Sequence, residues 1–104
     1  MSIERYELTV LFKPEKVEES VRQITERVLE REKGHLEVLE FENAGTKVLA
    51  YPMGKYKKAT YMYFTLEVDN SKCPPFCITT ALESIDGVLR YLYCHEPTGY
   101  VHSK

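Results

Sequence analysis

A group of lysines beside one turn signal is the feature of this sequence best suited to bind a polyanion. Lys55, Lys57 and Lys58 follow Pro52 and Gly54, two residues that mark an exposed hairpin loop. Lysine supplies a flexible point charge that contacts phosphate without reading base sequence. Because the net charge of the chain is -2, any such binding must be confined to one part of the surface. Taken alone, this composition favours a solvated loop that its charge keeps soluble over a binding site.

Cysteine and histidine side chains are the residues that could hold a metal ion. Cys73, Cys77 and Cys94-His95 offer the thiolate and imidazole ligands that zinc prefers. The first two cysteines enclose two prolines, and a second tight cysteine pair is missing, so free thiols are the favoured interpretation. The chain has three cysteines, an odd number that suits a reducing compartment, and we expect a cytoplasmic protein.

The elements that must position these residues begin with a strand and a helix. Alternating apolar residues predict a strand over Tyr6–Phe12 with one buried face. Apolar residues then recur at helical spacing, at Val17, Val21, Ile24 and Val28. The sequence therefore predicts a helix over Glu15–Glu32, with Gly34 as its C-cap.

Two further strands and a hairpin follow the first helix. His35–Phe41 reads as a strand with broken alternation, which a bulge or a strong twist near Asn43-Ala44-Gly45 would correct. Lys47–Tyr51 continues the strand, and Ala59–Val68 returns after the lysine-rich loop. The return strand alternates cleanly, with Met62, Phe64, Leu66 and Val68 on one face and Tyr61, Tyr63, Thr65 and Glu67 on the other.

A short second helix ending near Ser84 and a last strand over Val88–Cys94 complete the pattern. In that strand we expect Arg90 to face water and Leu89, Tyr91 and Tyr93 to face the core. The order strand, helix, strand, strand, helix, strand predicts an α+β, ferredoxin-like βαββαβ fold, a four-stranded antiparallel sheet with two helices on one face. Residues 1–95 would form this domain, and residues 96–104 a short irregular tail.

The predicted sheet leaves one face open, and this face has the composition of a binding surface. Its expected residues are Leu11, Tyr61, Tyr63, Arg90 and Leu92. Aromatic and arginine side chains are enriched at the centres of interfaces, so we expect a protein or RNA partner here. Scattered apolar residues are, however, ordinary on any protein surface.

Enzymatic and membrane functions find no support in the residues. An acylphosphatase-like enzyme of this fold would need a glycine-rich, arginine-containing loop after strand one, but that loop reads Lys13-Pro14-Glu15. His35, His95 and His102 lie in no recognisable acid–base motif. We therefore expect no enzyme activity, cofactor, bound metal or small-molecule substrate. No apolar stretch approaches the ~20 residues of a membrane span.

The central sequence Gly45-Thr46-Lys47-Val48-Leu49-Ala50-Tyr51-Pro52-Met53 resembles the hallmark of the bacterial small-subunit ribosomal protein six family. Further residues fall at the family's spacing: Arg5-Tyr6-Glu7, Pro14, Lys55, Lys58-Ala59, Tyr61, Asp86 and Val88-Leu89-Arg90. The resemblance implies a ferredoxin-like ribosomal protein that pairs with small-subunit ribosomal protein eighteen. It also implies binding to the central domain of small-subunit rRNA, and hence a ribosomal location.

Single residues acquire expected roles from this resemblance. The implied RNA contacts are Arg5, Lys47, Lys55, Lys58 and Arg90. The implied contacts to the protein partner are Tyr61, Tyr63 and Leu92. Thr46 stands where many members have a second basic residue, and Glu4 where some carry arginine, so the partner would supply more of the RNA affinity here. A regulatory or homo-oligomeric module of the same fold is the alternative.

Overall fold

The computed structural model describes residues 3–95, which form one antiparallel sheet and two helices. The strands are β1 (Ile3–Phe12), β2 (Leu36–Met53), β3 (Tyr56–Asp69) and β4 (Val88–His95), and the helices are α1 (Val17–Ile24) and α2 (Pro75–Glu83). In space the strand order is β2-β3-β1-β4. This arrangement confirms the predicted ferredoxin-like fold. The predicted tail, 96–104, lies outside the described residues.

The main hydrophobic core lies between the sheet and the helices. Alternate residues of the central strands are buried there: Tyr6, Leu8, Val10, Phe12, Met62, Phe64, Leu66 and Val68. The helical segments close this core with Ile24, Val28, Ile78 and Leu82. Because strand side chains alternate, burial of this set directs Thr9, Tyr61 and Tyr63 to the opposite face, called the open face below. The two predicted faces of Ala59–Val68 are confirmed.

The first helical segment is shorter than the sequence predicts. A 3-10 turn, Pro14–Lys16, precedes α1, and a π turn, Thr25–Leu29, follows it. The π turn is closed by the Glu30 N–H, which donates to the carbonyl of Thr25 at 2.9 Å. The predicted end at Glu32 and the C-cap role of Gly34 are therefore wrong. Gly34 instead takes a φ of 89° in the turn before β2.

The long edge strand β2 pairs with β3 through three irregularities, at Val38/Glu40, Asn43/Gly45 and Val48/Met53. The second confirms the predicted bulge. There Gly45 has a φ of 89°, and its N–H donates to Oδ1 of Asn43 at 2.9 Å. The first irregularity leaves Leu39 outside the register, which accounts for the broken alternation of the sequence.

The β2–β3 hairpin is longer and its turn tighter than predicted. Met53 pairs with Tyr56, so only Gly54 and Lys55 form the turn. Gly54 has a φ of 58°, a left-handed conformation that glycine adopts without steric cost. The lysine-rich segment is therefore mostly strand, and the expectation of a loop over these residues is wrong.

A second, smaller hydrophobic cluster lies on the open face beneath this hairpin. It buries Leu11, Leu49 and Ala59, and Met53, Tyr61 and Leu89 pack against it. Two predictions are corrected here. Leu11 is covered by hairpin residues rather than presented to solvent. Leu89 lies at a register shift between β1 and β4, so it turns away from the main core and joins this cluster.

Gly87 lies where the loop before β4 passes closest to α1. A methyl group at this position would approach Oγ of Ser20 to 1.8 Å, and Ser20 is buried. The carbonyl of Gly87 also accepts a hydrogen bond from the N–H of Lys13, at 2.8 Å. The close approach therefore requires glycine.

Gly87→Ala should reduce the free energy of unfolding by about 1–3 kcal/mol, the usual range for overpacking. Urea unfolding followed by circular dichroism measures the loss. Ser20→Ala removes the oxygen that the new methyl group would meet, so the double variant should lose less stability than the sum of the two single variants. Strictly additive losses would contradict the steric explanation.

Candidate nucleic-acid and protein interface

The end of the sheet that carries the hairpin turn is strongly cationic. Its exposed cations are Lys47, Lys55, Lys57, Lys58 and Arg90. None of them forms an ion pair with a residue between 3 and 95. Unpaired cations keep their full charge available to a polyanion, because no carboxylate has to be displaced before a phosphate binds.

One of these lysines lies against an aromatic ring of the open face. The Lys47 Nζ is 5.1 Å from the centroid of the Tyr61 ring, a cation–π contact. Tyr61 is directly opposite Leu11, and Leu11 is directly opposite Arg90. Tyr61 and Arg90 therefore share the open face, as the sequence predicted, and Lys47 joins them at the same end of the sheet.

A charged network beside the hairpin turn was not predicted from the sequence. Asp86 accepts hydrogen bonds from the Nζ atoms of Lys13, at 3.3 Å, and Lys16. These bonds lower the pKa of the Asp86 carboxyl, and the bond to Asp86 raises the pKa of Lys16. The network joins two connections that are distant in sequence, the one after β1 and the one before β4, so no local pattern could have indicated it.

Tyr56 connects this network to the hairpin turn. Its ring lies 5.4 Å from Nζ of Lys13 and 5.6 Å from Nζ of Lys55, and its hydroxyl donates to Oε2 of Glu15 at 2.9 Å. The bond to Glu15 raises the pKa of Tyr56. A backbone N–H and the Tyr56 hydroxyl lower the pKa of Glu15. The hairpin turn is thus fixed to the start of the first helical segment.

Two predicted RNA contacts do not share the open face at the hairpin end, because Lys58 points to the other face and Arg5 lies at the far end of the sheet. Lys58 pairs with Val48 and points, by alternation, to the side of the hairpin opposite Tyr61. Arg5 is six residues before Leu11 on β1, about 20 Å from the level of Arg90. Its direct neighbour on β3 is Glu67. The geometry brings Lys47, Lys55 and Arg90 to one end of the sheet but does not bring Arg5 there.

The predicted partner contacts occupy the middle of the open face. Tyr63 and Leu92 lie on either side of Thr9, and their exposed fractions are 37% and 42%. Tyr61 is half-buried because it packs against the cluster of Leu11 and Ala59. Tyr63 and Leu92 are therefore the apolar side chains that a partner could cover, and Tyr61 also supports the hairpin.

The other end of the open face is acidic, which the sequence analysis did not anticipate. By register and alternation, this end presents Glu7, Glu37, Glu40, Glu42 and Glu67. The signal was present in the sequence, because the alternation that selects Tyr61 and Tyr63 also selects Glu67. The bulge near Leu39 hid the positions of Glu40 and Glu42.

Among the residues that the structure describes, the cysteines and histidines do not assemble into a metal site. Cys73, Cys77 and Cys94 are free thiols, and residues 3–95 contain no group of three or more potential ligands that could hold a metal ion. Nδ1 of His35 is 3.6 Å from Oε1 of Glu32. Within the same residues, no helix has the length and apolar character needed to cross a bilayer.

The sequence of the chain matches a known family over nearly its whole described length. The model of the family "Ribosomal protein S6" matches residues 5–94. The chain belongs to the ribosomal protein S6 family. The resemblance noted in the sequence is confirmed, and the chain is a small-subunit ribosomal protein.

Structural comparison agrees with membership of the S6 family. A crystal structure of 30S ribosomal protein S6 from Thermotoga maritima matches with a TM-score of 0.76 and 17% sequence identity. The match covers 91% of this chain and 89% of that chain. At this identity the likeness shows the S6 fold alone. A comparison with curated proteins gives no match.

Cys73 should resist thiol reagents in the folded protein. It is fully buried, and burial raises the pKa of its thiol from 9.0 to about 12. We expect rapid labelling of the half-buried Cys77 and slow labelling of Cys73 at pH 8, measured by mass spectrometry after peptide digestion. Between pH 9 and 12 the unfolded chain ionises Cys73 before the folded chain does, so stability falls as pH rises. Cys73→Ala should flatten that fall; equal labelling of both thiols would contradict burial.

Proposed function

We propose that this chain is a structural, non-catalytic component of the small ribosomal subunit that binds small-subunit rRNA together with ribosomal protein eighteen. It would act in the cytoplasm, on the ribosome, with the central domain of the rRNA as its target. Membership of the S6 family supports the ribosomal role. The observation that carries RNA binding is the group of unpaired cations at the hairpin end of the sheet.

RNA binding at the hairpin end would rest on charge and position rather than base readout. Lys47, Lys55 and Arg90 supply the local cationic surface that a chain of net charge -2 needs to bind a polyanion. The contacts of Tyr56 and Tyr61 hold Lys55 and Lys47 near rings, which reduces the entropy that these side chains lose on binding. Lys58, on the other face of the hairpin, and Arg5, at the far end of the open face, stay predicted contacts.

The protein partner would cover the middle of the open face. Tyr63 and Leu92 offer exposed apolar area there, and Tyr61 borders it. A rigid aromatic ring contributes contact area at low entropic cost. Because the same face carries the cationic end, a partner bound over Tyr63 would lie beside the proposed RNA contacts and could extend them. The two proteins would then present one continuous surface to the rRNA.

Lys47→Glu should weaken binding of the heterodimer to the central rRNA domain and reduce the dependence of log K on log salt by about 1. Filter binding across a salt series measures both quantities. Lys72→Glu is the matched control, because Lys72 is an exposed lysine in the turn after β3, at the opposite end of the sheet. Equal losses in both variants would remove Lys47 from the RNA contacts.

Tyr63→Ser should weaken binding to ribosomal protein eighteen by roughly tenfold or more, as expected for an aromatic residue at an interface centre. Isothermal titration calorimetry with purified partner measures the affinity. Phe76→Ser is the control, because Phe76 is 65% exposed on α2, away from the open face. A loss confined to Phe76→Ser would move the partner to the helical side. Stable self-association without partner binding would favour the homo-oligomeric alternative.

A further inference from the structure

The acidic end of the open face carries uncompensated charge. Its members are Glu7, Glu37, Glu40, Glu42 and Glu67. None of them forms an ion pair with a residue between 3 and 95. Arg5 is the one cation that the described strands direct to the open face at this end, so five carboxylates share that part of the face with a single guanidinium. The open face is therefore divided into a basic hairpin end and an acidic end, with Tyr63 and Leu92 between them.

The arrangement is unfavourable for the free chain. Glu37 lies directly opposite Glu67 in the β2–β3 pairing, and like charges in such cross-strand pairs are destabilising. On the same face, Glu40 and Glu7 flank Thr65 from both sides. A sequence that departs from local stability at a surface often does so at a binding site. A cationic partner would remove this repulsion.

We propose that the acidic end of the open face binds an extended, lysine- and arginine-rich segment of the partner protein; this inference rests on the proposed partner binding. Glu40 and Glu42 are two positions apart on one face, about 7 Å along the strand. That spacing matches alternate side chains of an extended segment. Glu42 lies directly opposite Tyr63, so a basic segment here would continue onto the apolar centre of the face.

The chemistry favours a basic protein segment over other occupants. RNA phosphates would be repelled by five carboxylates, so the RNA is directed to the hairpin end instead. A shallow depression at this end is lined by Glu40, Phe41, Glu42, Tyr63 and Thr65, which offers carboxylate oxygens beside an aromatic ring. Lysine and arginine can contact both the carboxylates and the ring, since each combines an apolar stem with a cationic head. Electrostatic complementarity of this kind also fixes the orientation of a partner.

The test compares two triple variants of the full chain that lose the same charge. Glu7→Gln/Glu40→Gln/Glu42→Gln neutralises the acidic end, and Glu18→Gln/Glu26→Gln/Glu30→Gln neutralises exposed glutamates of the first helical region. Purified ribosomal protein eighteen is titrated into each chain by calorimetry between about 50 and 200 mM salt. We expect the open-face variant to bind about tenfold or more weakly at low salt, with a flatter salt dependence, and the control to bind like the wild type.

Each outcome separates this inference from the proposed function. Suppose that the wild-type chain binds the partner and that both variants bind it with the same affinity and salt dependence. This result would overturn the proposed role of the acidic end but not the proposed partner binding. No binding by the wild-type chain would overturn both. Sedimentation of the chain alone adds a third outcome, because self-association that only the open-face variant loses would assign this face to a second copy. Circular dichroism checks that both variants fold, and the loss of the repulsion between carboxylates should not lower the stability of the open-face variant.

Discussion

The pairing of β1 with β3 is continuous from Ile3↔Asp69 to Phe12↔Thr60, and the rest of the molecule depends on its register. Leu8, Val10 and Phe64 are buried beneath the helices. Because side chains alternate along a strand, Thr9 and Tyr63 must therefore lie on the open face. A shift of one residue would exchange the core with the binding surface. The hydrophobic energy of the core therefore also fixes which side chains lie on the open face, where we propose that a partner binds.

The open face is not a uniform surface, because the hairpin covers part of it. Leu49 and Ala59 bury Leu11, and this small cluster holds the hairpin over one end of the sheet. The contacts of Tyr56 with Glu15 and Lys13 hold the turn from the other side. Along one face lie a cationic end, an apolar centre and an acidic end. In our proposals these bind RNA, the protein partner and a basic segment of that partner, respectively.

Sequence reasoning predicted the elements whose patterns are local and strong. The alternation of Ala59–Val68, the bulge near Gly45 and the order of elements sufficed for the fold. It failed at Leu11, because no local pattern shows that a hairpin from elsewhere in the chain will cover a strand. Sequence reasoning also failed at Leu89 and at the end of the first helix. At each place an irregularity, a register shift in β4 and a π turn after α1, interrupts the repeat on which the prediction was based.

The residues of the candidate site were likewise predictable only where they lie on strands with a strong local pattern. Tyr61 and Arg90 share the open face as predicted because they lie on well-patterned strands. The motifs that contain Lys47 and Arg5 give residue types but not positions along the sheet, so they did not show that Lys47 would lie beside Tyr61 and Arg5 far from it. The network of Lys13, Lys16 and Asp86 depends on two connections meeting in space, the one after β1 and the one before β4, and only the tertiary structure reveals this.

The three irregularities along β2 have a consequence for the behaviour of the chain at high concentration. β2 is an edge strand of the sheet, and it exposes Phe41, Val48 and Tyr51. A flat, apolar edge of this length would be a template for strands of other molecules and a starting point for aggregation. Each register shift interrupts the regular row of free N–H and C=O groups that such a template needs. The register shifts therefore lower the tendency of β2 to pair with strands of other molecules.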